Sequence, residues 1–173
     1  FMAIAPDHPL AQSLAAESLQ CEYLVNPLGV DSKTPRLAWK LHTTTPDSRQ
    51  TAYRILVASS LKALANNEGD LWDSGRVPSE ESRHVAYEGA SLNSRQRYYW
   101  KVKVWDNHGN ESAWSTPAHW EMALLDSSDW QAKWIRHPDY TDTLRESKPA
   151  PYFRKTFSLE KLPTRARAYV TGL

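Results

Sequence analysis

Catalysis or metal binding would need carboxylates, histidines, a thiol or hydroxyls brought together, and the sequence offers few such groupings. The tightest acidic pair is Glu80-Glu81. Neighbouring side chains on an extended chain point apart, so this pair reads as a solvated loop, not an acid–base couple. Asp126 and Asp129 flank a turn, where capping is the expected role. The six histidines are His8, His42, His84, His108, His119 and His137. None has a second ligand-type residue at helical or hairpin metal spacing, so no metal site is expected. No Gly-x-Ser-x-Gly elbow accompanies the serines. Cys21 is the only cysteine, so it has no internal disulfide partner. Asn110-Glu111-Ser112 fits the glycosylation acceptor pattern, a match that is frequent by chance. No catalytic residue and no cofactor are expected.

Aromatic side chains are the remaining candidates. Trp72, Tyr99, Trp105 and Trp114 could stack on sugar rings if they lie on outer faces or loops. The competing reading is that they pack at the sandwich edge or against a neighbouring domain.

The chain has 173 residues, with 40 % apolar residues, eight Trp, eight Tyr and a net charge of +1. That length suits one domain, or one domain and a piece of another. Balanced charge without a basic stripe argues against nucleic acid as a partner. No apolar run approaches a membrane span, and Phe1 to Ala16 lack the pattern of a secretory signal. Localisation stays open.

The elements follow from periodicity. Residues 1–18 read as an arm, with regular signals starting at Leu19 to Leu24. Asn26-Pro27-Leu28-Gly29 reads as a turn. Leu37, Trp39 and Leu41 share a face with period two, as in a half-buried strand. Gln50 to Ser59 is a second strand, with Tyr53, Ile55 and Val57 on one side. Leu61 to Asn66 is a helical turn, and Leu71 to Gly75 and Arg83 to Tyr87 are short strands. The strongest strand is Tyr98 to Trp105, with Tyr98, Trp100, Val102 and Val104 on one face. Asp106 to Asn110 is a hairpin turn, and Ala118 to Leu125 the last strand. Short strands at intervals near ten residues argue for an all-β, antiparallel β-sandwich over 19–125. Ser127 or Ser128 is a possible helix cap. Residues 126–150 read as a linker. Within 151–173, Tyr152 to Phe157 and Ala166 to Val170 read as two strands, a truncated start of a second, jelly-roll-like β-domain.

Leu92 and Tyr98, six residues apart before the strongest strand, resemble the tyrosine corner of fibronectin-III and immunoglobulin-like sandwiches. Trp39 is similar to that fold's core tryptophan, with Tyr53 and Trp100 as further structural residues. Cys21 to Asp31, Pro35 to Trp39, Gln50 to Ser59, Gly69 to Gly75 and Tyr98 to Asp106, in that order, resemble the N-terminal region of bacterial α-L-rhamnosidases of glycoside hydrolase family 78. Trp120 to Met122, Asp129-Trp130, Trp134-Ile135 and Phe153 to Phe157 continue the likeness, which covers about 19–173. The resemblance implies removal of terminal α-L-rhamnose with inversion, by carboxylates in a helical barrel further along the polypeptide. Nothing here matches that barrel, so the chain is expected to be a non-catalytic accessory part. Its expected partners are the remaining domains of the enzyme and rhamnose-containing glycans. The alternatives are a carbohydrate-binding module or a protein-interaction fibronectin-III module.

Overall fold

The structure, a computed structural model, describes residues 14–135 and 152–171. The chain divides into two compact units, 1–131 and 132–173.

The first unit is a two-sheet sandwich. Strands β1 (Ala15–Cys21), β3 (Arg36–His42) and β7 (Val85–Ala86) form the smaller sheet, in the order β1-β3-β7. The larger sheet has the order β2-β9-β8-β4-β5, from β2 (Leu28–Val30), β4 (Gln50–Ala58), β5 (Trp72–Asp73), β8 (Arg97–Asp106) and β9 (Ala118–Met122). A further short strand, β6 (Val77–Pro78), also pairs with β4. β5 meets Leu56 and Val57, and β6 meets Ala52 and Tyr53, so the two form one broken edge along β4. Ser74 bridges the break, accepting from the Ile55 N–H at 2.8 Å. Proline is tolerated at position 78 because an edge strand can forgo an N–H.

The alternation expected for β4 and β8 is present. Ile55, Val57, Trp100, Val102 and Val104 are fully buried between the sheets, and Tyr53 and Tyr98 nearly so. β1 begins before Leu19, inside the stretch read as an arm. Its buried residues are Ala16, Leu19 and Cys21, with Leu14 buried just before it, and a bulge between Glu17 and Gln20 shifts their phase by one. Ser18 takes a left-handed φ of 51° there. An inserted residue restores the inward face after the bend.

The turn expected at Asn26 to Gly29 overlaps β2, which runs parallel to β9 at the sheet edge. Three residues carry no readable periodicity. The helical turn at Leu61 is α1 (Leu61–Ala65), capped by Ser60 Oγ accepting from the Ala63 N–H at 3.1 Å. α1 lies on the outer face of the larger sheet, where Leu64 packs with Leu56 and Ala58.

Two buried polar arrangements fasten the sandwich. Gln50 starts β4 almost fully buried. Its Oε1 accepts from Trp39 Nε1 at 2.9 Å, and its Nε2 donates to the carbonyls of Ser79 (3.1 Å) and Glu81 (2.7 Å). One amide therefore ties β3 of one sheet to the segment after β6 that flanks the other. At the corner before β8, the Asn93 N–H donates to Tyr98 Oη at 2.7 Å. Leu92 is buried beside it, as the corner pattern requires.

The turn after β8 is built on Asp106. Its carboxylate accepts from the N–H groups of His108 (2.9 Å) and Asn110 (2.8 Å) and from Asn110 Nδ2 (2.9 Å). The returning segment is no regular strand, yet Ser112 and Ser115 bond to β8 twice each. Their N–H groups reach the Val104 and Val102 carbonyls, and their hydroxyls accept from the N–H groups of the same two residues.

In the second unit, the described residues carry no strand, helix or ladder. The segments 152–157 and 166–170, expected as strands, have no ladder among the described residues. Two isolated strands are marginal in water without further strands to pair with. The expected cap at Ser127 or Ser128 is displaced to Asp126. A short 3₁₀ turn spans Ser127–Asp129, and the Asp126 N–H bonds Asp129 Oδ2 at 3.2 Å. The arm at 1–13 and most of the linker lie outside the described residues.

Candidate functional site

The four candidate aromatics do not form one platform. Alternation on β8 puts Tyr99, Lys101, Lys103 and Trp105 on the outer face of the larger sheet. Tyr99 and Trp105 are six residues apart, which on a strand is about 20 Å, too far to share one sugar ring. Trp114 leans on this face from the returning segment. Its ring lies under Lys101 Nζ (4.9 Å) and Lys103 Nζ (4.7 Å), with the Arg54 guanidinium at 6.0 Å. Trp105 carries Arg76 over its ring at 5.0 Å, and Tyr99 tilts against His119 at 6.1 Å. All four candidates are half-buried.

The cations on this face have structural partners. Lys101 is buried, and its Nζ donates to the Leu64 carbonyl and to Asn67 Oδ1, both at 2.6 Å. It closes the carbonyl end of α1, as a cation there should. Burial, and secondarily the Lys103 charge, hold its pKa below the usual lysine value. Arg54 makes a two-pronged pair with Asp73 at 2.9 and 2.6 Å, and Lys103 pairs with Glu111.

Trp72 stands apart from the other three. It sits on β5 at the opposite edge and makes an edge-on contact with Tyr87 at 5.4 Å. Tyr87 in turn meets Trp120 at 6.1 Å, and Trp120 meets Tyr98 at 5.7 Å. Trp72 is thus the outer end of an aromatic chain running through the core. It also borders a groove of about 680 Å³ between the β5–β6 edge and β7. Trp72, Tyr53, Val77 and Val85 line this groove together with the charged groups of Asp73, Glu81, Arg83 and Glu88. Sequence reasoning missed the groove because it forms between two short edges with no motif of their own. Burial raises the Tyr53 pKa, with the charges of Glu88 and Glu81 adding to it, so both carboxylates act on that hydroxyl.

Four carboxyls are held low, the opposite of the raised pKa that general-acid work needs. The Arg36 guanidinium holds Glu22 low, aided by the Arg36 N–H, against some desolvation. Arg54 does the same for Asp73. Burial pulls Asp106 up, but the bonds from Asn110 and His108 outweigh it and leave the group low. Asp129 is lowered first by Ser94 and then by the Asp126 N–H. Glu80 pairs loosely with Arg49 at 3.6 Å, as a surface contact. Among the described residues, no group of three or more His, Cys, Asp or Glu could hold a metal, and no helix is long and apolar enough to cross a membrane. The Asn110 amide is engaged by Asp106.

Fold and site together define a fibronectin-III- and immunoglobulin-like sandwich in which Gln50, Lys101, Asp106 and the Arg54–Asp73 pair hold the elements together. The profile of the Rha78A-like N-terminal immunoglobulin domain matches residues 16–126, and the chain belongs to that family. An α-L-rhamnosidase of Formosa agariphila is 38% identical over 185 residues, covering 96% of this chain and 19% of the relative. The α-L-rhamnosidase structure from Dictyoglumus thermophilum superposes with a TM-score of 0.70 at 41% identity, over 72% of this chain and 14% of that one. The Streptomyces avermitilis α-L-rhamnosidase, solved with L-rhamnose, gives 0.69 at 45% identity, over 73% and 12%. The chain thus spans between about an eighth and a fifth of its relatives' length.

Proposed function

We propose that the chain is a non-catalytic N-terminal accessory domain of an α-L-rhamnosidase that releases terminal α-L-rhamnose with inversion. The observation carrying this is the likeness to a curated rhamnosidase over 96% of the chain but only 19% of the relative. On this reading the acid and base belong to the remainder of the polypeptide, and residues 151–173 open a second β-domain after the linker at 126–150. Inversion requires two carboxyls about 6.5–9.5 Å apart, one of them raised in pKa. The carboxyls of Glu22, Asp73, Asp106 and Asp129, all lowered, do not fit the acid's role. The test is turnover of an aryl α-L-rhamnoside. The 173-residue chain should give none, and the complete polypeptide should release sugar of inverted configuration. Turnover by the purified 173-residue chain, above a mock purification, would sink the proposal.

A second reading, binding of a rhamnose-containing glycan, draws on the groove beside Trp72 and Tyr53, with the Asp73, Glu81 and Glu88 carboxylates to accept sugar hydroxyls. Titration calorimetry with rhamnose oligosaccharides at millimolar concentration checks it. Heats that vanish in Trp72→Ala support it, and flat heats with the parent chain remove it.

A further inference from the structure

The crossover from β1 to β2 leaves the smaller sheet after Cys21 and enters the larger one at Leu28. Such a crossing needs to span only about 10 Å between sheets. Here it makes a small exposed knob. Tyr23, Leu24, Val25 and Leu28 are 57%, 61%, 63% and 55% exposed.

The knob is held firmly. Cys21 and Leu24 exchange backbone hydrogen bonds at 2.9 and 3.0 Å. Glu22 takes a two-pronged pair from Arg36 at 3.2 and 2.6 Å and also accepts the Arg36 N–H at 2.7 Å. The same guanidinium lies 4.9 Å over the Tyr23 ring, which meets His84 edge-on at 5.4 Å. On the far side, Asn26 Oδ1 accepts from the His119 N–H at 2.9 Å, and the Pro27 carbonyl accepts from Glu121 at 3.0 Å. Three residues other than glycine take left-handed φ angles in the process: Glu22 (47°), Tyr23 (67°) and Asn26 (50°).

Each left-handed residue of this kind costs on the order of 1–3 kcal/mol. Holding apolar side chains in water returns nothing for that cost. Strain maintained by so many contacts, with an apolar tip as its product, is the arrangement of a preformed docking surface. The size of the patch selects the partner. Four such side chains offer a few hundred Å², the scale of about 300–600 Å² common for the largest patch of a monomer. A free partner, including a second copy, needs about 800 Å² per side for a stable complex. A tethered partner needs less, because the tether supplies an effective concentration near millimolar. The relatives carry more than four-fifths of their length outside the part this chain matches.

We infer that the Tyr23-Leu24-Val25-Leu28 knob docks this sandwich onto an apolar surface of another domain of the same polypeptide. The inference rests on the proposed membership in a longer enzyme and adds the surface used. The experiment compares hydrogen exchange at residues 21–30 in the 173-residue chain and in the complete polypeptide, each with and without Leu24→Asp/Val25→Asp. Neither residue has a left-handed φ, so the aspartates meet no backbone strain. A Leu24→Ser/Val25→Ser pair serves if the aspartates disturb folding.

The expected result is at least a tenfold slowing of exchange at 21–30 in the complete polypeptide relative to the 173-residue chain. The double variant should abolish that slowing while leaving the urea midpoint of the 173-residue chain unchanged. Equal exchange in the two contexts would overturn the inference. So would a dimer of the 173-residue chain in sedimentation that the variant dissolves, since the occupant would then be a second copy. Rhamnoside turnover by the complete polypeptide is scored separately, so failure of the enzymatic reading is distinguishable from failure of the docking surface.

Discussion

The Gln50 amide offers a direct measure of what joins the two sheets. Gln50→Leu keeps roughly the volume and removes both polar ends. Trp39 Nε1 then loses its acceptor inside the core, and the Ser79 and Glu81 carbonyls lose a shared donor. A buried donor left without a partner costs about 1–3 kcal/mol. The two carbonyls lie nearer the surface, where water can replace the amide, so each should cost about 0.5–1 kcal/mol. The sum is about 2–5 kcal/mol, a large part of the 5–15 kcal/mol that stabilises a typical domain.

Trp39→Phe removes the donor instead and orphans Gln50 Oε1. In the double variant neither partner is left unpaired, and such apolar replacement can be almost neutral. The double variant should therefore lose at least 1 kcal/mol less than the sum of the singles. Urea unfolding of the 173-residue chain, with linear extrapolation and matched slopes, supplies all four free energies. A Gln50→Leu loss under 0.5 kcal/mol, or strict additivity around the cycle, would refute the fastening role.

Tyr98→Phe should cost about 1 kcal/mol, since it deletes one acceptor from the Asn93 N–H; an unchanged urea midpoint would count against the corner. Trp39→Ala should cost more, on the order of 3–5 kcal/mol, as truncation of a core aromatic. Stability should fall in acid, because Glu22, Asp73 and Asp106 have lower pKa values folded than unfolded. Their contribution is present above the usual carboxylate range and is lost as pH drops through the folded values; Asp106→Asn should flatten that acid limb in denaturation scans at graded pH. Cys21 is pushed up to about 12 by burial, with the Glu22 charge adding to it. Below pH 9 it should react with a thiol reagent only at the rate of unfolding, and rapid labelling in native buffer would show the packing around β1 to be wrong.

Legibility in the sequence followed the length and regularity of each element. β4 and β8 span nine and ten residues, and the faces expected to be buried, Tyr53-Ile55-Val57 and Tyr98-Trp100-Val102-Val104, are buried. Leu56 and Ala58 on the other face of β4 are buried as well, where Leu64 of α1 packs on them. Tyr98 and Leu92 were legible because a corner has fixed spacing. β1 was half-hidden because the bulge at Ser18 breaks its period, which sent residues 15–18 into the supposed arm. β2 and β6 have three and two residues and take their place from partners on β9 and β4. Gln50 was legible as a strand start but carried no signal of its burial. A glutamine at a strand start reads as polar surface, and only the approach of Trp39 and two distant carbonyls makes it interior.

The candidate aromatics show the same limit from the other side. Alternation placed Tyr99 and Trp105 on the outer face correctly, but an outer face is not an open one. α1 and the Trp114 segment fold over it, and the lysines that might have met a ligand bond the Leu64 carbonyl, Asn67 and Glu111. Sequence periodicity reports which side of a sheet a residue occupies, whereas binding depends on what covers that side. In the sandwich, a cluster of exposed apolar side chains lies instead in the crossover at 23–28, where left-handed backbone and an Arg36 clamp hold it. Those are non-local properties of residues that read as an ordinary turn. A domain whose charges tie its own sheets together, and whose apolar tip is held outward at a conformational cost, is suited to positioning a neighbour.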